Sequence, residues 1–169
     1  MSGFTTADAV AREATWLAGH GDGLPALLTA NGGPWDIVQA YLPRTPAARK
    51  SQLYVLRRRL QTERMSQQRR LATYTFHLTF YWPIGATTVG TNLAESEQQA
   101  LDNALDLVRQ RVEGFVGDKT HGGKFLSVAE SPSGTRFDVE MSDPGQSMSG
   151  GAFLEGFATY VADDAEYVM

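Results

Sequence analysis

Cysteine is absent from this chain of 169 residues, which removes disulfides, thiolate zinc sites and cysteine nucleophiles together. That absence fits a cytosolic protein or one built into a particle. Histidine is nearly as scarce, so imidazole chemistry can centre only on His20, His77 or His121. No apolar run approaches the roughly 20 residues of a membrane-spanning helix. The first residues lack a basic-then-apolar signal pattern, so no membrane partner is expected. Positive charge stops early, with no Lys or Arg after Arg136. The acids beyond it are Asp138, Glu140, Asp143, Glu155, Asp163, Asp164 and Glu166. Nine of the fifteen Lys and Arg residues lie between Arg44 and Arg70, where Glu63 is the only acid. A split of this kind signals either a partner surface or two solvated faces of opposite sign. The net charge of −4 argues against a general nucleic-acid binder.

Hydrophobic periodicity is strong where charge is weak. From Tyr74 to Trp82 the residues Tyr74, Phe76, Leu78, Phe80 and Trp82 alternate with Thr75, His77, Thr79 and Tyr81, the pattern of a half-buried strand. After Pro83 and Gly85 the period changes. Leu101, Ala104, Leu105, Val108, Val112 and Phe115 form one stripe on a helix spanning Leu93 to Phe115, and Asn92 with Glu95 supplies a capping-box start. Upstream, Thr5 or Thr6 caps a helix running to about Ala18, with Val10, Ala14 and Leu17 on its buried side. Leu24–Thr29 and Pro34–Leu42 read as two further helical pieces, closed by the Pro43–Pro46 linker. Gln52–Leu60 reads as a strand and Gln61–Gln68 as a hairpin loop, with a helical turn the alternative. Lys124–Ala129, Arg136–Met141 and Phe153–Val161 read as strands, separated by a turn at Ser131–Gly134 and a Gly/Ser/Pro-rich loop at Asp143–Gly151. The two polar loops are expected to be mobile in a free subunit. The sum is an α+β fold. A mainly antiparallel sheet of about five strands carries one long helix packed on it, preceded by short N-terminal helices. Residues 1–43 form the N-terminal helical segment and residues 44–169 the α+β domain.

No residue pattern assembles a reaction centre, and no enzyme, cofactor or metal is expected. His20 with Asp22 supplies two ligands where zinc needs three or four. His121, ahead of two glycines, reads as a turn residue, and His77 as a surface or interface residue on the Thr-rich side of its strand. Ser147 and Ser149 lack a strand–Ser–helix elbow. Gly150-Gly151 has no following Lys to make a phosphate loop. The Arg57-Arg58-Arg59 run, with Arg64, Arg69 and Arg70, resembles an electrostatic footprint for phosphates. Adjacent strand residues point to opposite faces, however, so the three cannot line one patch.

The order of these features resembles the tail terminator (tail completion) proteins of long-tailed bacteriophages. The resemblance covers roughly Gln52 to Val168. It rests on the strand Tyr74–Trp82, the helix Leu93–Phe115, the segment Asp118-Lys119-Thr120-His121-Gly122-Gly123 and the closing Thr159-Tyr160-Val161. Family members often carry Asp-x-Thr-Leu-Gly-Gly after the helix; here His121 stands in place of Leu. The resemblance implies a structural virion protein that caps the tail tube as a ring, a hexamer in the family. It would stop tube polymerisation and offer a docking surface to the head-completion or connector protein. DNA would pass through the lumen without specific binding. The location implied is the head-proximal end of the tail, after assembly in the host cytoplasm. A head-to-tail ring needs two complementary surfaces on each subunit. The candidate subunit interface sets Arg57, Arg58, Arg59, Arg64 and Arg69 against Asp143, Glu155, Asp163 and Asp164. Two other readings remain: another phage neck or minor tail component, or a nucleic-acid-binding α+β domain using Arg57–Arg70.

Overall fold

The computed structural model describes residues 5–84, 91–115, 117–130, 137–142 and 153–167. The expected turn at Ser131–Gly134, the Asp143–Gly151 loop and the Asn92 cap side chain lie outside the described residues.

Helix α1 spans Thr6–Leu17. Thr5 Oγ1 accepts the Asp8 N–H at 3.2 Å and Asp8 Oδ2 accepts the Thr5 N–H at 3.0 Å, a capping box with Asp in its closing position. Ala9, Val10, Glu13, Ala14 and Leu17 form its buried stripe. The chain beyond it departs from the expected helical pieces. Residues 24–28 are irregular, Thr29–Asn31 is a single 3-10 turn, and Ile37–Ala40 is strand β1. Strand β1 pairs in parallel with the start of strand β2, Gln52–Arg64. Side-chain clamps fix this register. Ser51 N–H donates to Asp36 Oδ2 at 3.0 Å, Asp36 N–H to Ser51 Oγ at 2.9 Å, and Ser51 Oγ–H to the Pro34 carbonyl at 2.9 Å. Two successive β-branched residues, Ile37 and Val38, favour the extended form.

Strand β2 continues through the stretch expected as a loop and turns only at residues 65–68, where Met65 and Ser66 N–H both donate to the Arg69 carbonyl. Strand β3, Arg69–Pro83, runs back antiparallel. Helix α2 follows at Thr91–Glu113, then the two-residue strand β4 (Ser127–Val128), β5 (Asp138–Met141) and the 15-residue β6 (Phe153–Tyr167). The sheet order is β1-β2-β3-β6-β4, and β5 shares the outer edge of β6 with β4.

The expected class is therefore corrected. Among the described residues there are two α-helices and a mixed six-stranded sheet that curls as a half-barrel, and strand dominates over helix. The parallel β1–β2 pair makes the sheet mixed. The polar ends of β2, β3 and β6 lengthen it where sequence hydrophobicity fades. Its core is nonetheless built on the expected alternation. Ala72, Tyr74, Phe76, Leu78, Phe80 and Trp82 are buried, facing Asp164, Ala162, Tyr160, Ala158, Gly156 and Leu154 of β6. Ala162, Ala158 and Gly156 on β6 make room for Tyr74, Leu78 and Phe80 on β3. A Cβ on Gly156 would stand 2.6 Å from the Phe80 ring. Helix α2 buries Leu101, Ala104, Leu105, Val108 and Val112, while Phe115 lies beyond its end and is exposed. Trp35 joins the layers by donating Nε1–H to the Ala104 carbonyl at 3.4 Å and packing edge-on against Trp82. Each such side chain contributes about 1.5–3 kcal/mol on burial. One hydrophobic cluster runs from Ala9 to Ala162, drawing on residues before and after Pro43 alike.

Candidate functional site

Two polar regions stand out, one closed and one open. The closed one is built where α1, the end of α2, the turn after it and β6 meet. Asp118 Oδ1 accepts the Thr120 N–H at 2.9 Å and Thr120 Oγ1 accepts the Gly123 N–H at 2.8 Å. These bonds shape a turn that holds His121 at φ 52° and sends its ring inward, 1% exposed. The ring stacks on Trp16 at 4.7 Å and meets Phe125 edge-on. Its Nε2 lies 2.7 Å from the Val112 carbonyl, which can only accept, so Nε2 carries a proton. Its Nδ1 lies 2.9 Å from Glu13 Oε2, and that contact needs one proton between ring and carboxyl. The Tyr160 hydroxyl donates to the other Glu13 oxygen. Burial, the Glu13 charge and that bond raise the Tyr160 pKa well above 10.0, which keeps the phenol a donor.

Beside it, the buried Arg111 guanidinium grips Asp22 with two bonds, Nη2 to Oδ2 at 2.7 Å and Nη1 to Oδ1 at 3.2 Å. Its Nε donates to the Trp16 carbonyl at 2.8 Å, and the cation lies over the Trp16 ring. Gly19 leaves the space, since a Cβ there would fall 2.6 Å from Nη2. The Arg111 hydrogen bonds lower the Asp22 pKa against the opposing effect of burial. Arg12 donates to Asp164 Oδ2 at 2.9 Å and to the Lys124 carbonyl. With Glu13, Arg111 and His121 essentially out of contact with solvent, this corner clamps α1 to the sheet.

The open region is the margin formed by β2 and the tip of β3. Strand β1 reaches only Gln52–Val55, and among the described residues no other strand lies beside β2 beyond Val55 on that side. Arg57, Arg58, Arg59 and Arg64 are exposed there, as are Arg69 and Arg70 across the turn. A register shift between Arg57 and Arg59 leaves Arg58 as the extra residue of a β-bulge. Arg64 stands opposite Arg70, Arg69 opposite Tyr167 and Arg70 opposite Glu166. His77 stacks on Phe157 at 4.4 Å, and burial, then the nearby Arg58 charge, lower its pKa. A hollow of about 290 Å³ lies at the start of α1, lined in part by Tyr41, Leu56 and Arg57.

The acids expected to face the arginines separate into distinct settings. Asp164 is held by Arg12 inside the chain, and Asp163 accepts the Thr73 hydroxyl at 2.8 Å. Glu155 is exposed opposite Tyr81, and Asp143 lies outside the described residues. The exposed acids of β5, Asp138 and Glu140, sit beside β6 on the margin opposite β2. Sequence reasoning missed the closed corner, although a signal was present. Glu13 falls three after Val10 and four before Leu17, and Arg111 three after Val108, so both charges lie on apolar stripes.

Among the described residues no group of three or more His, Asp or Glu side chains gathers as for a metal, and no helix is long and apolar enough to cross a membrane. Comparison with known protein families and with curated proteins found no match.

Proposed function

We propose that this chain is a structural subunit of a long-tailed phage, assembling with copies of itself into the ring that closes the tail tube. In that role it ends tube polymerisation, contacts the tube protein on one side and presents the other to a head-completion or connector protein. The observation that carries the reading is that the two margins of one sheet have opposite exposed charge. Arginines line the β2 margin, and Asp138, Glu140 and Glu155 line the β5–β6 margin. Two different complementary surfaces on one subunit are what a head-to-tail closed ring requires. Negative-stain images and sedimentation of the purified protein test it. Rings with a central hole are expected, and a monomer at every concentration overturns the reading.

A second reading takes its support from Arg64 and Arg70, like charges directly opposite on neighbouring strands. Such a pair is destabilising unless an anion joins it. Duplex DNA would be that anion, and a salt-sensitive mobility shift of the monomer on DNA is the result that favours it.

A further inference from the structure

The two margins differ in the backbone groups that, among the described residues, meet no neighbouring strand. Ser142 N–H donates to the Glu155 carbonyl at 3.0 Å. Because these groups alternate sides along a strand, Glu140 and Asp138 also turn their backbone toward β6, while Val139 and Met141 turn theirs outward. On the far margin Met65 N–H donates to the Arg69 carbonyl at 3.0 Å. Stepping back by twos, Glu63, Gln61 and Arg59 face β3, and Leu60, Thr62 and Arg64 face outward. Among the described residues no strand lies on either free side.

Direction matches as well. Successive antiparallel pairings make β2 and β6 run one way and β3 and β5 the other. A second copy set beside the first in the same orientation therefore brings its β2 antiparallel to β5. We infer that β5 of one subunit adds to β2 of the next as a continuation of the sheet, with Val139 opposite Leu60, Glu140 opposite Arg59 and Asp138 opposite Gln61. This rests on the self-assembly reading above and names its contact.

Three observations fix that register. Outward backbone meets outward backbone at Val139 and Leu60. Faces agree, since Val139 lies opposite Ala158 and Leu60 opposite Tyr74 on the helix-covered side, while Glu140 and Arg59 lie opposite Phe157 and Thr75 on the other. Charge excludes the registers nearer the turn. Sliding two residues toward the turn sets Asp138 against Glu63, and sliding four sets Glu140 against Glu63. Sliding the other way meets the bulge at Arg58, which ends the ladder and keeps longer, less specific pairing from forming. Val139 and Met141, 37% and 38% exposed, gain cover in the contact.

The chain has no cysteine of its own, so every disulfide of an R59C/E140C variant comes from the introduced thiols, and single R59C and E140C variants report any 59–59 or 140–140 bonds. Within a single chain the two positions are three strand spacings apart across the sheet, about 14 Å, and four residues apart along it, about 13 Å more in that direction, beyond the reach of a disulfide. Treatment with oxidised glutathione is expected to give a ladder of covalent multimers on non-reducing gels. Separately, Arg59→Glu and Glu140→Arg should each weaken self-association roughly tenfold, and the double swap should restore it to within about threefold. Thermal melting of each variant checks that the subunit is folded. Wild-type assembly with no cross-link and no effect of either reversal overturns the edge contact and leaves the ring reading standing. A wild type that stays monomeric and never cross-links removes both.

Discussion

Arg111 and the arginines of β2 are the same residue used in opposite ways. Arg111 is 0% exposed, gripped by Asp22, bonded to two carbonyls and laid over Trp16. Arg57, Arg58, Arg59 and Arg64 stand in solvent on an open margin. A buried, fully bonded cation cannot lose its partner cheaply, whereas an exposed one gains little from any single neighbour. Stability therefore depends on the first kind, and the association proposed above draws on the second.

Arg111→Ala attacks the contrast from its stable side and should have the largest effect, about 3–5 kcal/mol of unfolding free energy. Denaturant titration measures it, and a loss under about 1 kcal/mol would mean that the corner is not a clamp. His121→Leu comes next. It fills the space between Trp16 and Phe125 but leaves the Val112 carbonyl and one Glu13 oxygen without a partner, at a cost of about 1–3 kcal/mol. Reversing Arg58, Arg59 and Arg64 to Glu should move stability by no more than about 0.5 kcal/mol. The same triple variant should weaken self-association, and wild-type association should fall with salt as the screening length drops from about 10 Å at 0.1 M to about 3 Å at 1 M.

The smallest effect links the two regions to pH. Burial first and Arg58 second hold the His77 pKa below 6.5, so the folded state binds this proton less readily than the unfolded chain. The stability contribution is present above about 6.5 and is lost as pH falls through the lower folded value. Arg58→Gln removes the second cause, and its melting temperature should decline less between about pH 7.5 and about pH 5 than that of the wild type. An identical decline in both would assign the whole shift to burial.

What the sequence discloses follows from where water is excluded. The β3 alternation and the α2 stripe were legible because each buries one continuous face. Strand β1 was not, because its four residues follow a proline and owe their pairing to Ser51 and Asp36 clamps. The continuation of β2 past Leu60 looked like a loop because residues 61–70 are all exposed, and hydrophobicity cannot mark a strand in solvent. His121 looked like a turn residue and is one, but its ring is buried against Glu13, 108 positions away. No local window joins those two. Arg59 and Arg64 were legible as exposed charge, while the side their backbones face emerges only from the ladder.

The pairing of β3 with β6 also sets an order of events in time. Thr73 and Asp163 are neighbours across the ladder yet 90 positions apart, and the Tyr160 hydroxyl reaches back 147 positions to Glu13. During synthesis the β2–β3 hairpin can close early, but the far side of β3 stays bare until β6 emerges. The strand left with that bare edge also carries the aromatic face from Tyr74 to Trp82, and such an unfinished edge can pair with other nascent chains. Long-range strand pairing of this sort places folding in the millisecond-to-second range rather than the microsecond range of local folds. Slowing translation lengthens the wait for β6, so the yield of native protein should fall most when β6 is delayed behind a finished hairpin.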